Sequence, residues 1–271
     1  MDPKMVDYLL YEPEDSGILW IRFNRPDRQN SFFIPEGLAA LCDYLRAGDA
    51  DPKVRVMVIT GVGKHFCAGV DLAGNAEKVE RIKGHGPDSS RQHFLYGVYP
   101  YLDVMSETMK PTIAMINGAA VGVGMDISLR CDIRMGCEFT RLFTYQNAGQ
   151  IVENGGSYFL PKLAGLGRAL ELAYTGGFLK AEDAYRWGIL NHLVPADQLE
   201  AETRALCKKI IDSPPFVQWI SKRIMRRALD VDLKTVQDLC ANASGILFNS
   251  EDAQEARKAW AEKRPPVFKG R

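Results

Sequence analysis

Two acidic residues stand among glycines where helices begin. Asp126 lies about one turn into the helix that follows Gly122-Val123-Gly124, and Glu153 immediately precedes Asn154-Gly155-Gly156-Ser157. The first N–H groups of a helix have no intrahelical acceptor, and the macrodipole adds positive potential there. Such a place can hold an anion or a developing oxyanion. A carboxylate beside it could move a proton next to that charge, so the pair suits acid–base work if the fold brings the two together. Each also has a plainer explanation: a solvated Asp in a close-packed turn, and an acidic helix cap.

A third glycine-rich stretch, Gly61 to Leu72 (GVGKHFCAGVDL), follows the apolar run Val54–Thr60. Lys64 lacks the Gly-x4-Gly that precedes a phosphate-binding lysine, and no Ser or Thr follows it. His65 and Cys67 are two apart, but His85 and His93 are too distant to complete a ligand set, so no metal is expected. The third glycine of a dinucleotide fingerprint would fall at Ile127, and no Gly-x-Ser-x-Gly elbow is present.

The elements that must position these residues alternate. Strands are predicted over 6–11, 17–23, 54–60, 112–116, 133–135, 141–145 and 190–194. Helices are predicted over 35–47, 90–109, 167–175 and 180–187, as well as after Gly122 and Gly155. From Asp197 to Lys263 the pattern is helical: 197–212, 215–229, 232–247 and 250–263. This is an α/β core over 1–196 and a helical subdomain over 197–271. The polar run 73–88 is a candidate lid. Phe94, Tyr96, Tyr99 and Tyr101 form an aromatic stripe that is either core or pocket wall.

The chain has 271 residues, 46% of them hydrophobic, with 34 basic and 34 acidic side chains. A net charge of zero gives no case for nucleic acid or an anionic membrane as the main partner. The start, MDPKMVDYLL, has no signal pattern, and no apolar run is long enough to span a membrane. Six cysteines without a CxxC pair fit free thiols in a reducing cytoplasm.

Taken together, the motifs resemble one family. Asn24-Arg25-Pro26, then Gly61 through His65-Phe66-Cys67-Ala68-Gly69-Val70-Asp71-Leu72, then Lys110-Pro111 through Asn117-Gly118, Gly122, Gly124 and Cys131-Asp132-Ile133 are similar to the enoyl-CoA hydratase/isomerase (crotonase) family. The likeness continues through Gly155-Gly156, Leu160-Pro161, Thr175-Gly176, Gly188-Ile189-Leu190, Val194-Pro195 and the ending Glu262 to Phe268. The resemblance implies a spiral of β-β-α turns, a helical trimerisation region, trimers or dimers of trimers, and an acyl-CoA thioester substrate with no separate cofactor. It implies an oxyanion hole built from the backbone N–H groups of Ala68 and Val123. Val123 stands where the family usually has glycine. It also implies substrate contacts from Phe66, Gly69, Val70, Asp71, Leu72, Gly122 and Tyr145. Coenzyme A contacts are expected from Arg25, Arg28 and Lys64, with Phe268 and Lys269 reaching over from a neighbouring subunit.

The acidic residues separate the subfamilies. Hydratases usually carry two glutamates. The first maps to Asp126, and the second maps near Tyr145 or Asn147, where nothing is acidic. Glu153 falls where double-bond isomerases of the family carry theirs. The leading expectation is therefore an enoyl- or dienoyl-CoA isomerase working through an enolate, with Glu153 removing a C2 proton and Glu153 or Asp126 returning one further along. Hydration of a 2-enoyl-CoA and a catalytically weak binding scaffold are the alternatives.

Overall fold

The computed structural model describes residues 6–31, 33, 35–71, 86–144 and 149–271. The candidate lid lies largely outside them, as do Leu72 and Tyr145.

A six-stranded sheet forms the backbone of the core. It comprises β1 (Leu9–Pro13), β2 (Ile18–Phe23), β3 (Val56–Gly61), β4 (Thr112–Ile116), β6 (Ile133–Gly136) and β9 (His192–Leu193), in the order β1-β2-β3-β4-β6-β9. The β1–β2 hairpin is antiparallel and the remaining pairs are parallel. Period-two alternation sorts the central strands into two cores. Leu19, Ile21, Phe23, Met57, Ile59, Ala114 and Ile116 face one cluster. Ile18, Trp20, Val56, Val58, Ile113 and Met115 face the other. Both faces are covered, which is why these strands read as unbroken apolar runs. Helix α1 (Glu36–Ala50) packs on the first face through Leu38, Leu41, Tyr44 and Leu45. The second face is closed by α8 (Leu199–Ile211), through Leu199 and Cys207.

A smaller sheet joins β5 (Ala119–Val121), β7 (Arg141–Phe143) and β8 (Leu179–Lys180). Cys67 adds a parallel bridge to Ala120. Each turn of the chain thus contributes a strand to the large sheet, a short strand or bridge to the small one, and then a helix. β4 and β5 lead to α4 (Val123–Arg130), and β6 and β7 lead to α5 (Asn154–Ala164). The sequence predicts no strand over 119–121. β5 has only three residues, too few to show a period. The helix expected over 90–109 is α2 (Gly86–Gln92), a π-helical segment His93–Val98, and α3 (Tyr99–Glu107).

α6 (Leu166–Thr175) and α7 (Ala181–Arg186) follow, and α9 (Pro215–Ala228), α10 (Leu233–Phe248) and α11 (Glu251–Glu262) end the chain. α9 is fastened at Asp132, just past α4. Asp132 accepts from Thr112 N–H at 2.8 Å and pairs with Lys222 at 2.7 Å and Arg226 at 2.8 Å. Burial alone would raise the Asp132 pKa, but Lys222 and Arg226 outweigh it and hold the group below the ordinary carboxylate range. Removing the carboxylate strands two cations, one of them with only 9% of its side chain exposed, which typically costs about 3–5 kcal/mol. Asp132→Asn should therefore lose stability of that order in urea unfolding at pH 7. A depressed folded-state pKa contributes stability above about pH 4 that is lost as pH falls through it, so the gap to wild type should narrow below about pH 4.

Candidate active site

The glycine-rich stretches meet at the carboxyl ends of β3 and β4. Phe66 and Cys67 N–H both donate to Ala119 O at 3.1 Å, and Val121 N–H donates to Cys67 O at 2.9 Å. Gly124 then passes so close that a Cβ there would lie 2.3 Å from Cys67 O. Gly122 has φ 53° and ψ −121°, a conformation that glycine adopts without strain, and its N–H donates to Phe143 O at 2.9 Å. The chain turns there into α4, whose first intrahelical bond is Asp126 N–H to Gly122 O at 3.0 Å. The N–H groups of Val123, Gly124 and Met125 precede that bond, and the Val123 N–H is one of the two oxyanion donors that the family resemblance implies.

The other donor requires correction. Ala68 N–H donates to Gln29 O at 3.0 Å, so it is spent inside the protein. Gln29 and Asn30 both take left-handed conformations, with φ 54° and 59°. That turn aims Gln29 O at Ala68, and the Asn30 amide at Val62 O (2.9 Å) and His65 O (2.6 Å). Gly69 follows at φ 87°, and the next N–H along this loop is that of Val70.

Asp126 and the backbone of Glu153 meet at the start of α5, through Gly156. Gly156 N–H donates to Asp126 Oδ1 at 2.8 Å and to the Glu153 carbonyl at 2.9 Å. Asp126 is only 6% exposed. Glu153 sits at the cap position in extended conformation, but its side chain makes no capping hydrogen bond. Helix capping therefore does not account for this residue. Desolvation raises its pKa above the ordinary glutamate value. Tyr99 faces the same place: its phenol is pushed up first by burial and then by the charges of Glu153 and Asp126.

Several other expected contacts are used internally. Phe66 is fully buried and packs edge-on against Phe23 at 5.5 Å, so its side chain belongs to the core. Arg25 and Asp71 form an ion pair at 2.9 Å, and Arg25 also covers the Phe33 ring at 4.7 Å. Arg28 and Lys64 remain exposed on loops that Asn30 ties together. Phe268 and Lys269 lie elsewhere. Lys269 and Gly270 N–H donate to Asp252, and Gly270 packs on Pro215 and Trp219. Arg55, just before β3, binds Ile211 O and Ser213 O beside the start of α9. The tail is thus a strand length from its own glycine-rich loops, and within this subunit it does not reach them. Among the described residues no group of three His, Cys, Asp or Glu side chains is placed to hold a metal. No helix among them is long and apolar enough to cross a membrane.

Sequence reasoning missed the Gly156 N–H and the inward aim of Tyr99. The glycine pair after Glu153 signalled the first. Nothing in the aromatic stripe separated Tyr99 from Tyr96, which is 77% exposed.

The chain is similar to known proteins over nearly its whole length. The enoyl-CoA hydratase/isomerase family model matches residues 13–271. The chain is 31% identical to 1,2-epoxyphenylacetyl-CoA isomerase of Escherichia coli (strain K12), over 98% of this chain and all of that protein. It is 33% identical to carnitinyl-CoA dehydratase of Salmonella typhi, over 97% and 98% of the two. Its structure superposes on enoyl-CoA hydratase from Bacillus anthracis with a TM-score of 0.88 at 29% identity, covering 97% of this chain and 100% of that one. An enoyl-CoA hydratase/isomerase from Cupriavidus metallidurans CH34 gives the same TM-score and identity over 98% of each chain. The chain belongs to the enoyl-CoA hydratase/isomerase family and has its crotonase fold.

Two outcomes follow from this geometry. Gly124→Ala must push its Cβ off the Cys67 backbone, so overpacking should cost about 1–3 kcal/mol in denaturant unfolding. The raised Glu153 pKa means that the folded state holds this proton more tightly than the unfolded one does. Its contribution to stability is present below about pH 4.3 and lost as pH rises through the folded pKa. Glu153→Gln should therefore be more stable than wild type at pH 7.5, with the difference vanishing near pH 4 in the same assay.

Proposed function

We propose that this member of the enoyl-CoA hydratase/isomerase family moves a carbon–carbon double bond in an enoyl- or dienoyl-CoA ester through an enolate. In this reading the thioester oxygen lies on the N–H groups of Val123 and Val70. The Glu153 carboxylate takes a proton from C2, the electron pair passes into the C1–O bond, and the two N–H donors hold the resulting oxyanion. The carboxylic acid formed at Glu153 then gives its proton to C4, the oxyanion collapses, and a 3-enoyl ester becomes a 2-enoyl ester. Atoms and charge balance without a redox partner, and coenzyme A enters only as part of the substrate. Asp126, with Oδ1 held by Gly156 N–H, orients the acid–base end and serves as the second proton carrier for the longer dienoyl shift.

The observation that carries this reading is Glu153 itself. It is desolvated, makes no capping bond, and has a raised pKa, which brings its proton affinity closer to that of a carrier working near neutrality. Hydration is the second reading. Asp126 Oδ1 is held by Gly156 N–H three residues after Glu153, and a water between the two side chains would be activated from two sides; relatives named for hydratase and dehydratase activity support it.

Oligomerisation and location belong to the same proposal. Leu233, Ile246, Phe248 and Trp260 on the last two helices are 60–87% exposed, as suits surfaces that pack against copies in a trimer or dimer of trimers. Six free cysteines, five of them buried, suit a reducing cytoplasm.

Steady-state assays of Glu153→Gln on 3-enoyl-CoA esters test the mechanism. A general base of this kind contributes about 10²–10⁴-fold, so kcat should fall by that factor while KM changes little. Full activity on every ester tested would end the proposal.

A further inference from the structure

The aromatic stripe contains a feature that the reaction has not used. Pro100 has no N–H and would clash with the carbonyl of Tyr96 in a regular helix. The helix opens instead into a π segment over His93–Val98, and Tyr99 N–H donates to Phe94 O, five residues back. Residues five apart in an α-helix point about 140° away from each other. The wider turn brings these two rings together, with centroids 5.9 Å apart and planes inclined by 35°. Both are half-buried and pack against the main core cluster, as do Val70 and Val152 from the two loops of the site. π-helical insertions of this kind often mark functional positions.

The placement of the pair is fixed by α4. Arg130 Nη1 donates to Leu102 O at 3.1 Å and to Ser106 Oγ at 2.9 Å, which locks α3 against α4. One turn back from Arg130 is Asp126, and one turn back from Leu102 is Tyr99. The rings therefore stand at the carboxylate end of the site, where the acyl group of a bound thioester must lie. Tyr99 stays protonated there, since burial and then the two nearby carboxylates oppose its ionisation.

We propose that Phe94 and Tyr99 form the acyl-selecting wall of this site, and that it selects acyl groups carrying a ring or an extended conjugated system. The inference rests on the acyl-CoA reading above, but not on whether the reaction is isomerisation or hydration. Flat π systems gain from offset or edge contacts with two rings, and a linear saturated chain does not.

The test is binding rather than turnover. Isothermal calorimetry compares 3-phenylpropanoyl-CoA with hexanoyl-CoA, neither of which has a double bond to move, on the wild type and on Phe94→Leu, Tyr99→Leu and Tyr99→Phe. The wild type should bind the phenyl ester about tenfold tighter, the scale expected of one or two aromatic contacts. Either leucine variant should bring the ratio to within about twofold, and Tyr99→Phe, which keeps the ring, should retain it. Equal affinity for free coenzyme A across the four proteins reports that the fold is intact. An unchanged ratio in the leucine variants, or a wild type that prefers hexanoyl-CoA, overturns the proposal. A wild type that binds neither ester overturns the acyl-CoA reading beneath it as well.

Discussion

The site depends on one backbone contact. Past the end of β3, Cys67 crosses to the small sheet and its carbonyl accepts from Val121, two residues before α4 begins. Gly124 has no side chain, so the first turn of α4 can settle on that same carbonyl. This sets the open N–H groups of α4 beside the loop that carries Gly69 and Val70. A side chain at 124 would separate the two loops, and the proposed donors, Val123 and Val70, could no longer share one oxygen.

The carboxylates inherit their positions from this contact. Asp126 follows because it lies within the first turn of α4, and Gly156 N–H then ties the start of α5 to it. Glu153 is carried along with no side-chain bond in the cap, and its carboxyl group is desolvated. On the other side, Arg130 holds α3, and Asp132 with Lys222 and Arg226 holds α9. The far end of α4 is thus clamped between an aromatic helix and the C-terminal helices. The C-terminal tail of the same subunit lies at the opposite end of the sheet, so it can meet a site of this kind only across an interface.

Much of this was legible in the sequence. The strands were visible because both faces of the sheet are buried, and the long C-terminal helices because their period repeats. Gly122, Gly124 and the glycines after Glu153 marked helix starts, since few other residues fit there. What the sequence hid depends on distant contacts. The family resemblance implies Ala68 as an oxyanion donor, but the left-handed turn at Gln29 and Asn30 takes its N–H. Arg25 and Asp71 looked like two ligand contacts and are one ion pair. Phe66 sits in a glycine-rich loop yet turns into the core. Tyr99 was one of four aromatic residues until the π segment before Pro100 aimed it at the carboxylates.

The central claim is that a proton leaves C2 and returns to the same carbon chain without water being added. Chromatography with mass spectrometry of a 3-enoyl-CoA ester incubated in deuterium oxide tests it most directly. The account predicts a 2-enoyl isomer that contains no added water and has gained deuterium only where protons were exchanged. A product heavier by a whole molecule of solvent water, formed from the 2-enoyl ester while the 3-enoyl ester stays unchanged, would contradict it.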